Sequence, residues 1–336
     1  MLTCVLPWAF LLLPAGPDPA SEPLAPSAPS SLPPALPLLN HGPGTSGGGS
    51  SVLSGETLRA GRFELDLRTE LVEFDAASVE EAEAKAIEHG EFDSLERSLL
   101  TTLSFAYGLT DDWELGAELG YYSGHDFIDA EEDGLGGAES ATADPEGLTD
   151  LWLRARWRAL RGADSHLALQ GGVKLPTGTD DEELSNGEEL EPSSQPGTGS
   201  VDWQLGLAYT RYLAPHVTLD ASGVYVLRTE HDGFEVGDRA DAGVALAYRL
   251  TDGAQASHRW SVFGELTGVW LGKDEEDGEA NDDSGGTTIY LGAGARDRIN
   301  ELCAVSLAPA VAVLQDVNGE QVETDWKVAL TLTLTP

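Results

Sequence analysis

From Phe63 the chain alternates, with Phe63, Leu65, Leu67, Thr69 and Leu71 set between Glu64, Asp66, Arg68 and Glu70. In an extended strand successive side chains point to opposite faces, so this run has one apolar and one charged face. The pattern recurs down the chain. Trp113, Leu115, Ala117, Leu119 and Tyr121 alternate with Glu114, Gly116, Glu118 and Gly120, and Leu151, Leu153, Ala155 and Trp157 with Trp152, Arg154, Arg156 and Arg158. In the Trp113 run aromatics stand eight residues apart, which at roughly 3.3 Å per residue is about 26 Å, the height of a lipid-facing band with aromatic girdles.

Further strands are predicted at Leu95–Tyr107, Leu167–Leu175, Val201–Tyr212, Val217–Arg228, Arg239–Leu250, Arg259–Leu271, Thr287–Arg296, Ala304–Leu314 and Gln321–Leu334. That makes about twelve, an even number. The connections between them alternate. Long ones, such as Ser123–Gly147 and the stretch around Asp180–Glu191, are acidic; short ones, such as Gly108–Asp112, Arg161–Asp164 and Leu213–His216, carry turn residues. A soluble sandwich has no reason to place every long acidic loop at each second connection, whereas an up-and-down membrane barrel does. The expected fold is an all-β, antiparallel transmembrane β-barrel in a bacterial outer membrane; a secreted β-sandwich or repeat protein is the competing fold. Ala76–His89, rich in Glu, is expected to be a helical excursion exposed to solvent.

Charge agrees with this division. The 336 residues hold 19 Lys and Arg against 58 Asp and Glu, a net charge of −39. Nothing here would neutralise a phosphate backbone, so nucleic acid is excluded as a partner. The acids gather in Asp129–Glu146, Asp180–Glu191 and Asp274–Asp283, as in solvated loops, where divalent cations are candidate ligands. Cys4 and Cys303 form neither a disulfide framework nor a zinc pattern. The apolar run before Leu13-Pro14-Ala15 resembles a secretory signal over residues 1–15, although no Lys or Arg precedes it. Residues 16–58, dominated by Pro, Ala, Ser and Gly and carrying a lone His41, are expected to be a flexible leader, with the barrel over 59–336.

Two segments carry a resemblance. Lys174-Leu175-Pro176-Thr177-Gly178, an acidic loop, and then Gly197-Thr198-Gly199-Ser200-Val201-Asp202-Trp203 are similar to the signature of the outer-membrane transporters grouped with the meta-pathway phenol-degradation proteins. Gly108-Leu109-Thr110-Asp111-Asp112-Trp113 is similar to a recurring turn of that family. The resemblance extends loosely over Arg62–Leu334 and implies an outer-membrane barrel that passes hydrophobic or aromatic compounds. The ending Leu332-Thr333-Leu334-Thr335-Pro336 departs from the aromatic close of many bacterial barrels. Pro176, Gly178, Gly197 and Gly199 read physically as corners where strands leave the sheet.

No catalytic residues and no cofactor are expected. A twelve-stranded outer-membrane phospholipase needs a His two residues before its Ser, and Glu183 stands there before Ser185-Asn186. Gly285-Gly286 and Gly292-Ala293-Gly294 lack a phosphate-loop context, and Lys273–Glu279 lacks the ligand order of an EF-hand. The expected lumen-lining residues are Glu114, Glu118, Arg154, Arg156, Arg158, Asp202, Asp220, Asp241 and Glu265, either cross-paired or acting as charged rungs. The expected function is a channel or transporter for small hydrophobic or aromatic solutes, in contact with membrane lipid. The alternative is a non-transporting surface protein whose acidic loops bind cations or a partner. Oligomeric state is left open.

Overall fold

A computed structural model describes residues 48–251, 258–319 and 321–336. The expected signal over residues 1–15, residues 16–47 of the leader and His41 lie outside the described residues.

Twelve strands form the barrel: β1 Phe63–Phe74, β2 Glu91–Gly108, β3 Trp113–Glu132, β4 Leu151–Arg161, β5 Ser165–Leu175, β6 Trp203–Ala214, β7 Val217–Leu227, β8 Arg239–Arg249, β9 Arg259–Leu271, β10 Gly286–Arg298, β11 Cys303–Val317 and β12 Thr324–Leu334. Each pairs antiparallel with its neighbours in sequence, and β1 pairs with β12 from Leu65↔Leu334 to Phe74↔Thr324. That last pairing leaves no free edge, which a sheet in hydrocarbon requires because nothing there can bond an open N–H or C=O.

The faces sort as the alternation predicts. Leu67, Leu103, Leu115, Leu153, Leu205, Leu246, Leu291 and Leu330 are exposed on the outside. Two aromatic belts bound this surface. Tyr107, Trp113, Trp157, Tyr248 and Trp260 stand at the end with the short turns, and Tyr121, Trp203, Tyr225, Trp270 and Trp326 at the end with the loops, all exposed. Trp113 and Trp157 stack with centroids 5.9 Å apart. Polar residues turn inward, among them Glu64, Glu114, Arg156, Gln170, Asp220 and Arg296, all buried.

Two expectations about the loops change. The segment read as loop from Ser123 continues as strand, because β3 runs to Glu132 and pairs with Ala138–Ala143 and Glu146–Leu148. Above the membrane both faces of a hairpin are polar or packed on neighbours, so the apolar-charged alternation fades as a signal there. The helix α1, Val79–His89, begins with a capping box in which Ser78 and Glu81 satisfy each other's backbone N–H. It is not an exposed excursion on all sides: Ala82 and Ala86 are buried with Phe92, Ile128 and Ala130.

The larger change concerns the leader. Residues 48–58, expected to be flexible, lie inside the turn-end half of the barrel, with Ser50, Val52, Ser54, Glu56 and Leu58 almost fully buried. The composition is poor in apolar groups, and the segment orders because the polar wall supplies hydrogen-bond partners in place of an apolar core.

Candidate functional site: the barrel interior

The inserted segment is held along its length. Leu58 N–H donates to Glu114 Oε2 at 2.8 Å, and Gly55 N–H to Thr210 Oγ1 at 2.8 Å. Leu53 N–H donates to Ser222 Oγ at 3.0 Å, and Ser50 and Ser51 N–H both reach Glu265 Oε2, at 2.8 and 3.0 Å. Arg296 donates to the carbonyls of Gly48 and Gly49 at 2.8 and 3.0 Å, and Arg156 donates to that of Ser54. Glu56 accepts from the Tyr212 hydroxyl at 2.7 Å. The segment rises to Val52, beside Gly243 and Thr267, and descends again to Gly48, beside Asp220 and Arg296 near the turn end.

Glycine makes the fit possible. A Cβ on Gly55 would stand 2.4 Å from the backbone oxygen of His166, and one on Gly48 would overlap the Asp220 carboxylate.

The nine expected residues take four kinds of place. Glu114, Glu118, Arg154, Arg156 and Asp241 line a cavity of about 450 Å³ at mid-height. They are cross-paired: Arg154 with Glu118 at 3.0 Å, Arg156 with Glu114 at 3.3 Å, and Asp241 with Arg239 at 2.8 Å. Asp220 and Glu265 are buried against residues 48–51. Arg158 turns to the turn end, where it binds Asp112 at 2.9 Å. Asp202 is at the loop end in a different cluster.

That cluster is built from the segments that carried the resemblance. Lys174 Nζ lies 2.6 Å from Asp202 and 3.0 Å from Asp150, all three nearly fully buried. Asp150 also accepts from the N–H groups of Thr177, Gly178 and Thr198 at 3.0, 2.9 and 3.1 Å. Gly178 and Gly197 pack so closely that a Cβ on Gly178 would stand 2.8 Å from Gly197 Cα. These motifs make a rigid corner where the chain leaves and re-enters the barrel. Lys174 and the backbone donors stabilise the charged form of Asp150, outweighing burial and holding its carboxyl below the usual range.

Above the mid-height cavity is a second, of about 590 Å³, opening among the loops. Val72, Phe74, Phe92, Tyr122, Val269 and Leu271 give it apolar walls. Glu70, Arg239, Val269 and Lys327 border both cavities and so mark the level where they meet. The wall residues Val72, Phe74, Leu271 and Lys327 fall outside the sequence-based expectation. The in-register alternation of β1, β9 and β12 carries the signal for them, since Val72 shares a face with Glu70. Near the mouth, carboxylate oxygens of Glu91, Asp93 and Glu191 lie within 4.8 Å of one another. Burial, reinforced by Glu91, pushes the Glu191 carboxyl up to about 7.

The fold is similar to the crystal structure of the COG4313 outer membrane channel from Pseudomonas putida F1, with TM-score 0.58 and 17% identity over 84% of this chain and 97% of that one. Weaker similarity is found to the translocator domain of the autotransporter NalP from Neisseria meningitidis, with TM-score 0.47 and 14% identity over 83% and 90% of the two chains. The TodX monoaromatic hydrocarbon channel gives TM-score 0.43 and 12% identity over 89% and 99%. No curated protein matches the chain in sequence. A family model does match, over residues 97–300, and the chain belongs to that family, described as "Putative MetA-pathway of phenol degradation".

Proposed function

We propose that this barrel is an outer-membrane channel for small hydrophobic or aromatic solutes, entered from the loop end and gated by its own residues 48–58. The observation that carries the reading is the cavity of about 590 Å³ with apolar walls at the loop end of a lipid-facing barrel. A volume of this size suits one small organic molecule, and the apolar side chains interleaved with polar and charged ones on its wall give an apolar solute its contacts. Long loops face the exterior in bacterial barrels, so the cavity is the outer vestibule. The family's description, a pathway of phenol degradation, points to the same solute class. No nucleophile-base pair is assigned in this reading, and the chain acts as a conduit and not as an enzyme.

Passage to the turn end requires residues 48–58 to move. The test is flux of a small aromatic compound across an outer-membrane-mimicking bilayer with and without the protein, together with bilayer recording. Protein-dependent flux that rises when residues 48–58 are removed supports the reading; no flux in either form overturns it.

One observation favours a second reading, in which the acidic loops bind divalent cations at the surface. It is the approach of Glu91, Asp93 and Glu191 within 4.8 Å. Calcium titration by calorimetry tests it, and heat unchanged in Glu91→Gln/Asp93→Asn removes it.

A further inference from the structure

We infer that the lumen excludes solutes of either charge and admits uncharged ones, because an acidic layer is stacked on a basic one along its axis. The inference rests on the channel reading and names the substrate class of that same site.

The acidic layer is the wall of the vestibule. Glu91 and Asp93 of β2, with Glu191, Asp274 and Asp283 from the loops, all border the cavity. Among the described residues no Lys or Arg forms an ion pair with Glu91, Asp93 or Glu191, and one oxygen of Asp93 is buried without a hydrogen-bond partner. Burial raises these three carboxyls, that of Glu191 to about 7, so the layer gains its negative charge as pH rises.

The basic layer lies beneath, where the two cavities meet. Arg68 of β1, Arg239 of β8 and Lys327 of β12 reach this level, whereas Arg228, just past β7, lies in the vestibule wall near Asp202, Asp238 and Asp274. Two carboxylates offset part of it: Glu70 pairs with Arg68 at 2.6 Å, and Asp241 holds Arg239 through two bonds of 2.8 Å. Lys327 has no such partner; its Nζ sits 3.9 Å from the centroid of the Tyr290 ring. Three cations against two anions leave a net positive layer. It spans the lumen, because β8 is five strands from β1 by way of β12 and seven by way of β2.

A narrow passage with low-dielectric walls focuses such fields, so each layer acts on an ion more strongly than it would at an open surface. An anion is repelled at the mouth. A cation is drawn into the vestibule and stopped at its floor. A neutral solute is neither repelled nor held by the two layers and finds apolar contacts at Val72, Val269 and Leu271 on its way.

The test places a thiol at the floor. In the full chain with Cys4→Ser and Cys303→Ser, Leu100→Cys puts the thiol on the inward face opposite Glu70, lining the mid-height cavity. Three methanethiosulfonates are compared: neutral methyl, cationic trimethylammonioethyl and anionic sulfonatoethyl, each rate divided by its rate with a free small thiol. We expect the neutral reagent to react at least about tenfold faster than either charged one. Lys327→Gln should raise the cationic rate, and Glu91→Gln/Asp93→Asn the anionic rate, with the neutral rate unchanged in both. Equal normalised rates, ratios unmoved by these variants, or no reaction with the neutral reagent each overturn the inference. The expected pattern in a protein that gives no aromatic flux supports the layered filter and counts against the channel reading alone.

Discussion

Ser50 donates its backbone N–H to the Glu265 carboxylate over 2.8 Å, although 215 residues separate the two in sequence. The bond ties a segment ahead of the barrel to the middle of β9, and a second N–H, from Ser51, shares the same oxygen. A carboxylate accepting two backbone donors in a buried setting is a strong anchor, since charged hydrogen bonds are about twice as strong as neutral ones. The interior of this barrel is thus complementary to its own chain.

Gly55→Val should release the segment. Its Cβ would meet the His166 backbone oxygen at 2.4 Å, which no side-chain motion relieves. Overpacking of this kind costs on the order of 1–3 kcal/mol, comparable to a few of the bonds that hold the segment. Single-channel conductance should rise severalfold while the thermal unfolding of the barrel stays within a few degrees. An unchanged conductance would show that residues 48–58 do not close the lumen.

Arg156 and Glu114 form a buried pair at 3.3 Å, and both also hold residues 48–58, through Ser54 and Leu58. Arg156→Met leaves a buried carboxylate without its cation, which costs about 3–5 kcal/mol. Glu114→Gln in the same chain should recover part of that loss. Heat-modified mobility on gels across a temperature series reads both effects, and additive losses would show that the pair is not coupled.

Lys174→Met should loosen the loop-end corner more than the barrel. It removes the cation shared by Asp150 and Asp202 and leaves two buried carboxylates facing each other. The expected cost is again about 3–5 kcal/mol. Proteolysis should therefore move to residues 176–202, whereas Lys174→Met combined with Asp202→Asn should be cut more slowly. Cleavage no faster than in the parent chain would remove the structural role of the corner.

The loop around Glu191 should dock more firmly in mild acid. Its carboxyl is raised from 4.5 to about 7, so between those pH values the docked loop binds a proton that the undocked loop has lost. Docking is therefore strongest toward the lower end of that window and weakens as pH rises through about 7. Hydrogen exchange of residues 180–195 should be slower at pH 5.5 than at pH 8 after correction for intrinsic rates, and Glu191→Gln should abolish the difference.

Much of the barrel could be read before its structure because a lipid-facing strand has a strict periodicity. Arg259–Leu271 is found with its expected bounds, and β1, β3 and β4 present their apolar residues outward as the alternation requires. The reading weakened where that constraint ends. β3 extends to Glu132 through a region expected to be loop, since above the membrane its two faces no longer differ in solvent. The expected interior acids and bases find partners mostly within one strand or across adjacent strands, as Glu114 does in Arg156, and the inserted residues 48–58 supply the rest. Asp202 faces Lys174 at the loop-end corner, and Glu265 faces residues 50 and 51.

The sequence by itself determined the strand faces, the aromatic belts and the alternation of acidic loops with short turns, because these are local consequences of a period of two. Tertiary structure alone decided what fills the barrel. Residues 48–58 lack the apolar content that marks an ordered segment, and they order only where Glu114, Thr210, Ser222, Glu265 and Arg296, drawn from five strands, converge on their backbone. Hydrogen-bond complementarity of that kind depends on the closed circle of strands, which brings the five together.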